Sequence, residues 1–202
     1  MPKKDALSAL DLRRLLLSAE SPRDKLILAL AGILGLRTCE ISRLSQNHIV
    51  RDNEKVPVGI KIIGKGRKQA DQAMLIPREL RHLLPSSPGP LVISHRKQSL
   101  GSRLSPRSIQ WIIAQHLARA GLASTRITPH SLRHTAARIA LDQGADLERI
   151  RVFLRHKDPA TTLAYLQLLA DHLPPSTEAI VAQAVLPLPP DPRHAAYIPL
   201  RR

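Results

Sequence analysis

The stretch Thr128–Gln167, TPHSLRHTAARIALDQGADLERIRVFLRHKDPATTLAYLQ, holds His130, Arg133, His156 and Tyr165 in that order. Imidazole and guanidinium groups donate to anionic oxygens, and a phenol becomes a nucleophile once its proton is taken, so these are residue types that phosphodiester chemistry uses. The same stretch reads as a run of helices. Pro129 suits the first turn of one bearing His130 and Arg133, and Asp146 is placed to cap a second with Ile150, Phe153 and Leu154 inward. Asp158 with Pro159 opens the helix that carries Tyr165.

Working back toward the N-terminus, Ser8 followed by Asp11, and Ser21 with Pro22 and Asp24, each precede an apolar segment as helix caps do. The second segment, Leu26 to Leu34, is apolar nearly all round, which predicts a buried helix, and Gly35 is placed to end it in a left-handed cap. Arg37 emerges there, and Thr38 can cap a short helix with Ile41 and Leu44 inward. Val56, Val58, Ile60 and Ile62 alternate as a strand would, Gly64 and Gly66 mark a turn, Ala73 to Ile76 reads as the pairing strand, and Leu91 to Ser94 supplies a third. Ser105 and Pro106 then open an amphipathic helix with Ile109, Ile112, Ile113 and Leu117 on one side and Gly121 at its end. The expected class is α+β, mainly helical, with a small antiparallel three-stranded sheet. Residues 1–173 form the domain, and 174–202 a proline-rich tail with one short helix, Glu178 to Val185, that is mobile or docks on a partner.

Thirty-one Lys and Arg against 16 Asp and Glu give a formal charge of +15, a balance that attracts a polyanion through counterion release. Nucleic acid is the first partner to consider; ribosomal and membrane-surface proteins share the balance. Aromatic residues are 2% of the chain, which disfavours a base-stacking surface and favours contact with a duplex backbone. Cys39, the only cysteine, leaves no disulfide framework or zinc site and reads as a core thiol in a reducing interior. The longest apolar run is far too short to span a bilayer, so no membrane association is expected and a cytoplasmic setting follows.

Taken one at a time, the candidate residues are ordinary. His130 and Arg133 at i and i+3 share a helix face and can address one anion together, but basic pairs at that spacing commonly form a solvated face. Arg37 suits the dipole at a helix C-terminus. Lys65 sits in a glycine-flanked turn where Lys68 competes for any role, His156 fits an ordinary turn, and Tyr165 among Leu163, Leu166, Leu168 and Leu169 fits a core aromatic. His134 packs locally, and His116 and His82 receive no role. The joint order of two arginines, a lysine, two histidines and a tyrosine carries the signal.

In that order the chain resembles the tyrosine recombinase family, also called phage integrases. GLRTCEISRL, with Arg37 and Glu40, is similar to its first box, PHSLRHTAA to its second, FLRHKDPATTLAYL to its third, and IIGKGRK to its lysine hairpin, over roughly residues 8 to 170. The resemblance implies the family's catalytic-domain fold and a catalytic set of Arg37, Lys65, His130, Arg133, His156 and Tyr165, with Glu40 in support. It implies cutting and rejoining of double-stranded DNA through a 3′-phosphotyrosine, with no metal, ATP or other cofactor, by a homotetramer on paired sites in the bacterial cytoplasm or nucleoid. Two positions depart from the pattern: Arg155 stands where a glycine usually precedes the third-box histidine, and Gln167 where a histidine often follows the tyrosine. The match also begins almost at Met1, without room for the helical domain that normally grips the other DNA face; in this it resembles small Xer-like or fimbrial-switch-type recombinases, and weaker DNA binding, help from an accessory protein or a truncated chain is expected. Two other readings keep the fold, a non-cleaving DNA-binding accessory or regulator and an activity like a type IB topoisomerase.

Overall fold

The computed structural model describes residues 6–64, 69–70, 72–155 and 176–186. Helix α1 spans Ala9–Leu17 and α2 spans Pro22–Gly32; Ser8 Oγ accepts from the N–H of Asp11 and Ser21 Oγ from that of Asp24, each at 3.1 Å. Both caps are the ones their sequences announce, and each satisfies a donor that the helix start would leave unpaired. α1 buries Leu12, Leu15 and Leu16, the i, i+3, i+4 set of one face. α2 has no polar face over its last two turns, Leu26 to Gly32 being buried throughout, and it packs against α1 and the helices that begin at Thr38, Pro106 and Ser131. With each fully buried leucine or isoleucine stabilising the fold by roughly 1.5–3 kcal/mol, this helix is the core's centre of mass.

Helix α3, Thr38–Arg43, leads into the sheet. Strands β1, Ile49–Arg51, β2, Pro57–Ile62, and β3, Gln72–Leu75, form an antiparallel sheet in the order β1-β2-β3, with Ile60 opposite both Ile49 and Met74. Ile60 and Ile62 face the core while Lys61 between them is exposed, the alternation expected of a half-buried strand. The third strand is β1 and not Leu91–Ser94. In that segment the Leu91 N–H donates to the Leu44 carbonyl, the Val92 carbonyl accepts from Leu104, and Ile93 makes a lone bridge to Arg103. Its backbone is thus taken up by neighbouring loops before a sheet could use it.

Helix α4, Pro106–Arg119, buries Ile109, Ile112, Ile113 and Leu117 as expected, is capped by Ser105, and is followed by Gly121 at φ 69°. Helix α5 spans Ser131–Asp142 and α6 spans Leu147–Phe153, the latter capped by Asp146 Oδ1 on the Arg149 N–H at 2.8 Å. The short helix expected at Glu178 is present as α7, Thr177–Val185. It lies against α1, α5 and α6 of its own chain, with Val181, Ala182 and Val185 buried, so this part of the tail completes the core. Cys39 is half-buried at the start of α3, more open than a core thiol. Among the described residues no helix is long and apolar enough to cross a membrane.

Candidate active site

The site begins where α2 ends. Gly35 sits at φ 60°, where a side chain costs roughly 1–2 kcal/mol, and a Cβ there would come 3.3 Å from the Phe153 ring. The turn brings the chain to Arg37, which is the N-cap of α3 in place of the expected Thr38. The cap is supplied from inside the helix: Glu40 Oε2 accepts the Arg37 backbone N–H, and Oε1 accepts Arg37 Nη1, both at 2.8 Å. A carboxylate at the third helical position satisfies the start more strongly than a threonine hydroxyl would.

Glu40 is 1% exposed and receives a third donor, Arg155 Nη2, at 2.9 Å on Oε2. Burial alone would raise the carboxyl's pKa; the charge of Arg155 and the hydrogen bonds and charge of Arg37 outweigh it and hold Glu40 below the usual carboxylate range. Arg155 follows α6 at φ 53°, in the left-handed region, and its Nη1 also reaches the Phe153 carbonyl at 3.2 Å and Met74 Sδ at 3.4 Å.

Arg133, in the first turn of α5, is 3% exposed. Its Nη1 donates to the Gly35 carbonyl at 2.6 Å and its Nη2 to the Leu154 carbonyl, joining the loop before Arg37 to the end of α6. Burial first, then the positive charges of Arg155 and Arg37, push its pKa down to about 9 against the pull of Glu40, which leaves it charged at neutral pH. Two guanidinium groups, those of Arg37 and Arg155, therefore bond one carboxylate, and Arg133 feels its charge without bonding it. The next carboxyl, Glu178 in α7, is disfavoured as an anion by its burial. A cluster with this imbalance favours an added anion where Arg37 reaches the surface.

His130 does not share the burial of Arg133. It is the N-cap of α5, exposed, with its ring edge-on to His134 at a centroid distance of 5.0 Å. It borders an open recess of about 500 Å³ with Arg107, Gln110, Trp111 and Thr128, and Gln110 Nε2 reaches Thr38 Oγ1 at 3.5 Å, so the recess adjoins the start of α3. Lys65, Lys68, His156 and Tyr165 lie outside the described residues. On the near side of the lysine turn, the Gly64 carbonyl accepts from Arg43 Nη1 at 3.2 Å, tying that end of β2 to α3.

These groups sit in a chain whose residues 5–172 match the model of the phage integrase family. The chain belongs to the phage integrase family. It is 29% identical over 182 residues to the tyrosine recombinase XerA of Thermococcus kodakarensis, covering 86% of this chain and 61% of that protein. It is 34% identical over 159 residues to the tyrosine recombinase XerC of Actinobacillus succinogenes, covering 75% and 51%. The chain thus spans half to three fifths of the length of these curated relatives. Among solved structures, the integrase from mycobacterium phage Brujita aligns with a TM-score of 0.61 at 23% identity over 92% of this chain and 58% of that one. A lambda integrase tetramer bound to a Holliday junction aligns at 0.57 and 18% identity over 78% and 48%. The mainly helical α+β class with its three-stranded antiparallel sheet is the integrase catalytic-domain fold.

Two residues of this integrase-family chain escaped the sequence reading. Arg155 appeared only as a departure from a glycine, although an arginine where a left-handed backbone is expected signals a side chain held by something. His116 showed no partner pattern, yet it is buried in α4 with Nδ1 3.1 Å from Ser18 Oγ and Nε2 3.2 Å from Asp24 Oδ2, stitching α4 to α1 and α2. Its partners are nearly a hundred residues away in sequence, beyond any local signal.

Proposed function

We propose that this chain is the catalytic part of a site-specific DNA recombinase that cuts and rejoins duplex DNA through a 3′-phosphotyrosine. The observation that carries the reading is the cluster of part-exposed Arg37 and buried Arg133 and Arg155 near the carboxylate of Glu40, with Arg155 directly before His156 in the chain. A phosphodiester supplies the missing negative charge, and its two nonbridging oxygens suit two guanidinium groups.

In this reading Tyr165 Oη attacks phosphorus, the P–O5′ bond breaks, and the phosphate stays on tyrosine through its 3′ side. His130 assists removal of the phenol proton, since a tyrosine is mostly protonated at neutral pH, and Lys65 protonates the departing 5′ oxygen. Arg37 and Arg133 hold the charge that develops on the nonbridging oxygens, and His156 adds a hydrogen bond; losing one such donor costs on the order of 10²–10³ in rate. Rejoining reverses the bonds: a 5′ hydroxyl attacks phosphorus, the P–O5′ bond forms and tyrosine leaves with its proton restored. The covalent link conserves the phosphodiester energy, so the residues named carry both steps without ATP.

The further partners belong to the same proposal: a homotetramer on paired DNA sites, as in the lambda integrase tetramer bound to a Holliday junction, with an accessory protein adding DNA contacts, in the cytoplasm. The unit 1–173 is the catalytic domain, and in the tetramer the tail from 174 docks on a neighbour through the surface of α1, α5 and α6 that α7 covers within one chain. The test is covalent trapping on a pool of nicked duplexes with random centres. The wild type is expected to give a denaturation-resistant adduct and Tyr165→Phe none, with duplex binding kept; adducts that persist in Tyr165→Phe overturn the nucleophile, and binding with no adduct in either favours the non-cleaving reading.

A further inference from the structure

A carboxylate beside an arginine favours two parallel N–H···O bonds to the guanidinium. Glu40 and Arg37 do not make that pair. Oε1 takes Arg37 Nη1, while Oε2 is shared by the Arg37 backbone N–H and Arg155 Nη2. Of the three side chains only Arg37 reaches outward, at 32% exposure, against 5% for Arg155 and none for Glu40. We propose that Arg155 is a positioning residue for DNA cleavage: by holding Oε2 it limits Glu40 to a one-oxygen grip on Arg37 and leaves the remaining N–H groups of Arg37 for the phosphate.

This rests on the recombinase reading, and three observations carry it. Arg155 adopts a left-handed backbone that a glycine would take without strain, so its side chain must be what that position is used for. The side chain is pinned at both ends of its fork, to Glu40 by Nη2 and to the Phe153 carbonyl and Met74 Sδ by Nη1, which fixes where it can hold the carboxylate. Its Nε is buried with no hydrogen-bond partner among the described residues, an unfavourable placement that only a specific pairing would sustain. Among the described residues, the charged groups that act on the Glu40–Arg155 pair from neighbouring elements are Arg37 at the N-cap of α3, Arg133 of α5 and Glu178 of α7.

The test is single-turnover adduct formation by the full chain on the nicked-duplex pool across pH 5 to 9, for wild type, Arg155→Met, Arg155→Gly and Arg155→Lys, beside duplex binding and a thermal melt. The Met and Gly variants are expected to bind duplex much as wild type does while forming adduct roughly 10–100-fold more slowly, the scale of a misplaced catalytic group. Their acid limb moves to higher pH, because Glu40 loses the charge that most favours its ionised form. Arg155→Lys, which keeps the charge, recovers most of the rate and the wild-type limb. Wild-type rate and pH profile in the Met and Gly variants overturn the proposal, as does a loss of folding in all three, which would make Arg155 a fold element. No adduct from the wild type overturns the recombinase reading instead.

Discussion

Glu40 accepts three hydrogen bonds while fully buried, so its removal leaves cations without their counter-charge. Breaking one side of such a buried pair costs about 3–5 kcal/mol, and that is the loss expected for Glu40→Gln at neutral pH by denaturant unfolding. A carboxyl held below its ordinary value contributes stability that is present above about pH 4.5 and lost as pH falls through its folded value, so the gap between wild type and Glu40→Gln should close in acid. Asp24 acts in the same direction: burial opposes its charge, but the His116 hydrogen bond and the Arg23 pair outweigh it. His116→Ala should cost about 1–3 kcal/mol, the penalty for orphaning buried partners, with no change in DNA chemistry, since His116 lies in the core on the α1 and α2 side. Arg37 and Arg133 stand out as candidates because their boxes are local in sequence. Arg155 and His116 were not, because what fixes each is a partner 115 or 92 residues away.

The helices were legible where a cap and a period coincide, as at Ser8, Ser21, Ser105 and Asp146. α5 begins at Ser131, two residues after the expected Pro129. The three residues of β1 are too few to show alternation, and Leu91–Ser94, expected in its place, is an apolar run packed inside without joining the sheet. α7 was found but not its packing, which depends on apolar faces of α1, α5 and α6 that no local pattern reveals. Its burial gives a direct check: Val181→Ala removes two methyl groups at roughly 0.8 kcal/mol each and should lower stability by about 1–2 kcal/mol in denaturant melts. A helix that stood apart from the core would show no loss. Glu178, whose pKa burial raises, contributes stability only below its folded value, so Glu178→Gln should stabilise the chain at neutral pH and lose that advantage in acid.

The whole molecule carries +15, and the site adds a local excess of guanidinium groups to that field. Duplex affinity should therefore fall steeply with salt, by roughly 10³ or more between 50 and 200 mM for six or more phosphate contacts, read by fluorescence anisotropy. Weak dependence would mean that the charge serves another partner. The most direct test of the cleavage chemistry is the linkage itself: trap the adduct, digest with nuclease and trypsin, and sequence the nucleotide-bearing peptide by mass spectrometry. The proposed chemistry predicts the peptide that begins at Asp158, with a nucleotide joined through its 3′ phosphate to Tyr165 and a free 5′ hydroxyl on the released strand. A nucleotide on any other residue, or one joined through its 5′ phosphate, would contradict it.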